Sequence, residues 1–290
     1  MSDTIDERTA WSLLRAVPLG IAGKAFPTQV HHDPNPDVWL QVDASGHWTA
    51  SGEVIDAARD LVDLYLPLQL SPDLVIGQIG QSLDGRIATA DGHSHYVTGP
   101  ADIRRLHRLR ALVDAVVVGA GTVAADNPRL TVRDVEGENP VRVVLDPRGR
   151  LSPDRAVFRD GAARTLVIRL ATGPQSEASS DSDLLELPAG VPRQNDGDGG
   201  RGGFAPVTVI EALRTRGLRR ILVEGGGVTV SRFLQAGALT RLHVTVAPLL
   251  IGSGRHALTL PPIATLDQAL RPPCHLFHLG NDVLFDLDLR

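Results

Sequence analysis

From residue 74 onward the chain alternates short apolar runs with segments whose apolar side chains recur every three or four positions. The runs are 74–80, 115–119, 141–145, 165–170, 184–187, 221–223 and 242–248. The stretch 115–119 (Ala-Val-Val-Val-Gly) carries no polar side chain, the pattern of a strand buried on both faces. Helical spacing is clearest at 99–112, 206–216 and 228–236. Strands and helices in alternation predict an α/β fold in which a mostly parallel, mixed sheet carries helices on both faces, a three-layer α/β/α arrangement. The closing strands, 242–250 and 283–289, leave no room for a full crossover helix immediately before the last one, and antiparallel pairing is expected there.

The first 72 residues read differently. A helical opening around 11–16, a loop rich in Pro, His and Asp at 27–37, a strand at 38–42 and a helical pattern at 53–66 predict an accessory N-terminal layer, 1–72, preceding the main domain, 73–290. The tripeptide His31-His32-Asp33 lacks further ligands nearby and reads as solvated loop, so no metal is expected. Two low-complexity stretches, 171–183 and 194–203, are built mainly from Gly, Ser, Asp and Arg and are expected as surface loops.

Composition narrows the function classes. At 290 residues and 42% hydrophobic, the chain can bury a sizeable core. No apolar run approaches the roughly 20 residues that span a bilayer. Asp3, Asp6, Glu7 and Arg8 stand where a secretory leader would place a basic and then an apolar stretch. The lone Cys274 excludes an intrachain disulfide and a cysteine-based metal cluster, so a reducing cytoplasm is the expected location. With a net charge of −5, no general attraction to nucleic acid or membrane is expected. Lys24 is the only lysine, so a phosphate held by a cationic side chain in the main domain is held by arginine, whose planar fork suits bidentate contacts.

Three segments carry candidate chemistry. Ile221-Leu222-Val223-Glu224-Gly225-Gly226-Gly227 is an apolar strand ending in a carboxylate and three glycines, with a helix starting near Val228. It reads either as a turn that holds a phosphate against backbone N–H groups or as an ordinary strand-to-helix turn. Gly119-Ala120-Gly121-Thr122 follows the most apolar strand and is half of a dinucleotide fingerprint, lacking the third glycine. It runs into Asp126-Asn127-Pro128, where proline ends the helix. Ser82-Leu83-Asp84-Gly85-Arg86 leaves a strand through a tight turn. All three lie at carboxyl ends of strands, where open α/β sheets bind ligands.

Together with Tyr96-Val97-Thr98-Gly99, Leu109-Arg110, Asp126 through Arg133, Glu224-Gly225-Gly226 and Ala247 through Gly252, these segments resemble in order and spacing the reductase domain of the bacterial riboflavin-biosynthesis deaminase-reductase, over residues 73–290. The resemblance implies the dihydrofolate reductase-like fold and a homodimer. It also implies NADPH-dependent reduction of 5-amino-6-(5-phosphoribosylamino)uracil to its ribitylamino form. It places Ser94, Arg110, Leu130, Arg133 and Glu224 on the substrate, the two arginines near its 5′-phosphate. Gly80, Tyr96, Thr122, Asp126, Gly226, Gly227, Val228, Thr229, Val230 and Ser231 would line NADPH. Asp126, near nicotinamide and substrate carbon, is the catalytic candidate, either as proton donor or as an orienting group. Hydride transfer asks a protein for binding, orientation and water exclusion, and the chain shows no nucleophile–base arrangement that would suggest another chemistry.

Departures from the family pattern leave other readings open. Gln78 stands where lysine is common, and Pro147 where a serine often touches the cofactor. The first 70 residues lack the His-x-Glu and Pro-Cys-x-x-Cys of a zinc deaminase, so deamination is not expected. A reductase of the same superfamily acting on a dihydropterin or a specialised metabolite is the alternative enzyme, and a nucleotide-binding regulatory module the alternative from another class.

Overall fold

The N-terminal helix opens on Asp6, whose carboxylate accepts the Thr9 amide at 2.8 Å and so satisfies one of the donors a helix leaves unpaired at its start. In the computed structural model, which describes residues 4–19, 26–33, 35–171, 184–190 and 203–290, the chain divides into two units, Met1–Leu74 and Val75–Arg290. In the first, α1 (Glu7–Ala16) packs on α2 (Asp56–Gln69), with Trp11 edge-on to Tyr65 at 5.7 Å between ring centres. Beside them β1 (Thr28–His31), β2 (Trp39–Val42) and β3 (Trp48–Ala50) form an antiparallel sheet. Strand β1 lies inside the stretch expected as loop. It buries only Val30, too little apolar signal for the pattern to register. The His31 ring nitrogen Nδ1 bonds the Pro36 carbonyl at 2.7 Å, which explains one of the adjacent histidines as a loop-closing donor.

The second unit is built on nine described strands in the order β13-β14-β11-β4-β10-β6-β7-β8-β9. These are β4 (Leu74–Ser82), β6 (Ala115–Gly119), β7 (Val141–Leu145), β8 (Thr165–Leu170), β9 (Leu184–Leu187), β10 (Arg220–Val223), β11 (Arg241–Ala247), β13 (Cys274–Leu279) and β14 (Asp282–Asp288). Strands β10, β6, β7, β8 and β9 pair in parallel, as do β11 and β4, while β14 runs antiparallel to β11 and β13 antiparallel to β14. The mixed α/β architecture with antiparallel closing strands is the one the sequence predicts. A separate ribbon, β5 (Arg86–Thr89) with β12 (Gly254–His256), lies beyond the end of β4.

Period-2 alternation on β11 sorts the two faces of the sheet. Leu242 and Val244 belong to the apolar cluster formed with α6 (Pro206–Arg214) and α7 (Gly227–Gln235), through Val209, Leu213, Val230 and Phe233. The intervening His243 and Thr245 bond Arg105 and Asp102 of α3 (Pro100–Ala111) on the opposite side. Helices therefore cover both faces. Two short helices, α4 (Ala120–Asp126) and α5 (Ala156–Arg159), follow β6 and β7. Apart from Ala171 and Gly203, the two low-complexity stretches lie outside the described residues, as does Lys24.

Candidate active site

Adjacent parallel strands β6 and β10 bring the Gly119 and Glu224 segments side by side, and the Glu224 amide bonds the Val117 carbonyl at 2.9 Å. The chain then turns through Gly225 (φ 76°) and Gly226 (φ 32°), left-handed angles that favour glycine. A Cβ on Gly225 would sit 2.7 Å from the Thr122 methyl carbon and one on Gly226 3.0 Å from the Thr122 hydroxyl. A Cβ on Gly227 would run into the carbonyl oxygens of His256 and Ala257. The three glycines thus serve close packing of the starts of α4 and α7 and of the 256–257 backbone, in addition to leaving the turn bare.

Next to this turn is a cavity of about 330 Å³, walled by Gly119, Gly121, Leu145, Pro147, Val228 and Thr229. Its size and mixture of apolar wall with glycine backbone fit part of a nucleotide. Val228 and Thr229, two of the expected cofactor residues, line this cavity. Val230 and Ser231 do not offer their side chains: Val230 is part of the apolar core, and the Ser231 hydroxyl accepts the Thr259 amide at 2.8 Å.

Glu224 and Arg110 meet as a buried bidentate pair, Nε–Oε1 and Nη2–Oε2 both at 2.7 Å, while Arg110 Nη1 donates to the Thr131 carbonyl at 3.1 Å. Burial alone works against the arginine cation, but the charge and hydrogen bonds of Glu224 outweigh it and raise Arg110 above its ordinary value. Arg133 is tied to the same place, its Nη1 donating to the Thr131 hydroxyl at 2.9 Å. Burial and then the Arg110 cation lower the Arg133 value. The two arginines expected near a phosphate are thus neighbours, but Arg110 is committed to Glu224 and Thr131, and Arg133 is the exposed one. His107, which sequence reasoning missed, accepts the Arg133 amide at Nδ1 (3.1 Å). Burial first, then the cations of Arg110 and Arg133, lower its value and keep it neutral, with Nε2 turned toward Asp134 at 3.5 Å. Only its place among the arginines of α3 hinted at it.

Four residues along α4 from Thr122 lies Asp126, whose Oδ1 accepts the Ser94 hydroxyl at 3.0 Å. That bond joins two expected site residues 32 positions apart. Tyr96, 87% exposed, has its ring 6.3 Å from that of His95. Tyr96, Asn127 and Leu130 are the described non-glycine residues with positive φ, at 64°, 43° and 56°. Such angles in bulky residues are outliers that gather at functional sites. The Leu130 side chain is 2% exposed, so its backbone is what it can present to a ligand. Gly80 faces the segment leading into α3, where a Cβ would approach the Thr98 methyl to 2.8 Å. The Ser82–Asp84 turn is anchored instead of open: Asp84 accepts the Ser82 hydroxyl at 2.5 Å and the Gly252 amide at 2.6 Å. These bonds hold its carboxyl down at about 2, the Ser82 hydroxyl contributing most. Among the described residues no cluster of three His, Cys, Asp or Glu is placed to hold a metal.

A bare glycine turn, a cavity of about 330 Å³ and a carboxylate–arginine centre therefore line the carboxyl edge of one sheet. The chain is 36% identical over 223 residues to the 2,5-diamino-6-ribosylamino-4(3H)-pyrimidinone 5′-phosphate reductase of Methanothermobacter thermautotrophicus, covering 74% of this chain and 98% of that one. It is 34% identical over 194 residues to the riboflavin biosynthesis protein RibD of Mycobacterium tuberculosis, covering 66% of this chain but only 46% of that protein. Among solved structures, the diaminohydroxyphosphoribosylaminopyrimidine deaminase/5-amino-6-(5-phosphoribosylamino)uracil reductase of Thermotoga maritima superposes with a TM-score of 0.59 at 25% identity. That match covers 82% of this chain and 64% of the other. With the family model for the RibD C-terminal domain matching residues 73–285, the chain belongs to the RibD C-terminal domain family.

Proposed function

We propose that this protein reduces the ribosyl group of a 5′-phosphorylated ribosylamino-pyrimidine to the ribitylamino form, using NADPH. The observation that carries the reading is the buried Arg110–Glu224 pair between the glycine turn and the Thr131–Arg133 segment, in a chain that aligns with nearly the whole of a reductase of that substrate class. Bound NADPH would supply the hydride. Gly119, Gly121, Val228 and Thr229 line the cavity that would hold the nucleotide. Glu224, fixed by Arg110, presents an acceptor of set orientation, and the exposed Arg133 supplies a cation for the sugar phosphate. Asp126, with Ser94 bonded to it, would hold or pass a proton at the carbon being reduced.

The reading extends to a homodimer. Strand β13 is the outer strand of the large sheet, with Leu276 58% exposed, an unblunted apolar edge that a second copy would cover. Light scattering is expected to give twice the 31.0 kDa chain mass.

The test is NADPH consumption with 5-amino-6-(5-phosphoribosylamino)uracil and with its 2,5-diamino pyrimidinone counterpart, the product identified by a mass gain of two hydrogens. Reduction of either supports the proposal. Reduction of neither, with turnover of a dihydropterin instead, overturns it.

A further inference from the structure

Beside the Arg110–Glu224 pair two hydrogen-bond donors lie almost in contact, and neither can accept from the other. The Arg133 amide donates to His107 Nδ1 at 3.1 Å, so that nitrogen carries no proton and the neutral ring carries its proton on Nε2. Nε2 lies 3.4 Å from Nη2 of Arg133, whose guanidinium has donors only. Two donors held that close call for an anion that accepts from both. The Asp134 carboxylate takes that place, with Oδ2 3.5 Å from Nε2 and its negative charge acting on both groups. At 3.5 Å the contact is longer than a charge-assisted hydrogen bond, so Asp134 fills the place loosely.

The fold fixes the two donors and leaves the carboxylate able to move. Main-chain atoms of three successive residues are tied down: the Thr131 carbonyl accepts Arg110 Nη1 at 3.1 Å, the Val132 amide donates to the Asn139 side-chain oxygen at 2.7 Å, and the Arg133 amide donates to His107. The Arg133 guanidinium is braced by the Thr131 hydroxyl at 2.9 Å. The His107 side chain is 2% exposed and that of Asp134 52%. Outward rotation of the Asp134 side chain therefore breaks none of these bonds and leaves both donors to another anion. The other charges acting on the ring, Arg110 and Glu224, are paired with each other and need not move. A phosphate, with three acceptor oxygens and nearly twice the charge of a carboxylate, serves both donors better than Asp134 does.

We infer that His107 Nε2 and Arg133 Nη2 together cradle the 5′-phosphate of the substrate, and that Asp134 is a placeholder which the phosphate displaces. The inference rests on the phosphate half of the proposed function, to which it adds His107 as a binding residue and Asp134 as an internal competitor. Its test is calorimetric binding of ribose 5-phosphate to the full chain, with ribose as control, together with KM for the phosphorylated ribosylamino-pyrimidine. Wild type is compared with Asp134→Asn, His107→Asn and His107→Gln, each checked for folding by thermal melts. Asparagine at 107 keeps an acceptor for the Arg133 amide and removes the donor; glutamine reaches the Nε2 position with an N–H. Asp134→Asn is expected to tighten ribose 5-phosphate roughly 3- to 10-fold and to lower KM by a similar factor, because a competing negative charge is gone. His107→Asn is expected to weaken binding and raise KM roughly 10-fold with kcat nearly unchanged, and His107→Gln to recover part of the loss. Weaker binding by Asp134→Asn, or unaltered binding by a folded His107→Asn, overturns the inference. Should the His107 variants not fold, Asp134→Asn decides alone, since its side chain is half exposed. These shifts in a protein that reduces no pyrimidine leave the inference standing and remove the substrate reading alone. Reduction of the phosphorylated pyrimidine with a KM that neither Asp134→Asn nor His107→Asn moves overturns the inference alone.

Discussion

At the scale of single residues, the Arg110–Glu224 pair is the feature on which structure and chemistry depend together. Removing one member of a buried ion pair leaves the other charged and unsolvated, so Glu224→Gln is expected to destabilise the fold by about 3 kcal/mol. Arg133→Ala, at an exposed position, is expected to cost under about 1 kcal/mol. Urea midpoints of the two variants check this, and equal costs would contradict the assignment of Arg110 as a committed structural partner. Both members were legible as site residues in the sequence; their mutual bond was not. They stand 114 positions apart, and nothing in local pattern says that a carboxylate after β10 and the penultimate residue of α3 will share two hydrogen bonds. The same holds for Ser94 and Asp126. Conversely, Val230 and Ser231 belonged to a motif read as cofactor wall, but the helical period turns their side chains into the core.

At the scale of elements, legibility followed burial. Strands β6 and β10 are recognisable from sequence because parallel strands covered on both faces are nearly uniformly apolar. Strands β13, β5 and β12 escaped because exposed edges and small ribbons carry mixed side chains without clean alternation. Helix α3 shows a subtler limit. Its spacing marks a helix, yet the face it buries is charged: Asp102 and Arg105 reach Thr245 and His243, and His243 Nε2 donates to Asp286 at 3.1 Å. Because Arg105 donates to Nδ1, the ring is held neutral. Burial above all pushes His243 down to about 4, with Arg105 and Arg241 adding to it and Asp286 opposing. The unfolded histidine, near 6.5, binds a proton that the folded one does not over the interval between the two values. Stability is therefore full above the unfolded value and falls as the pH drops toward the folded one. A loss of about 2 kcal/mol between pH 7 and pH 5 is expected from this group. Denaturant titrations at the two pH values check it, and His243→Asn is expected to flatten that part of the slope. An unchanged slope in the variant would show that the ring is not the titrating group.

At the scale of the whole molecule, the second unit brings its chemistry to one edge of the sheet. The parallel strands end together there, so segments beginning at Ser82, Gly119 and Glu224 converge although 142 positions separate the first from the last. This convergence was the part of the function most readable from sequence, since it follows from strand direction alone. The division of labour between the arginines was not. The account holds that Arg133 receives the phosphate and Arg110 fixes Glu224. Its central claim is tested most directly by steady-state reduction of the phosphorylated and the dephosphorylated ribosylamino-pyrimidine by wild type and Arg133→Ala. The expected result is a KM for the phosphorylated substrate raised roughly 10- to 100-fold by the substitution, with the dephosphorylated one poor for both proteins and unaffected by it. Equal turnover of the two substrates by the wild-type protein, or an Arg133→Ala variant indistinguishable from it on the phosphorylated one, would contradict the account.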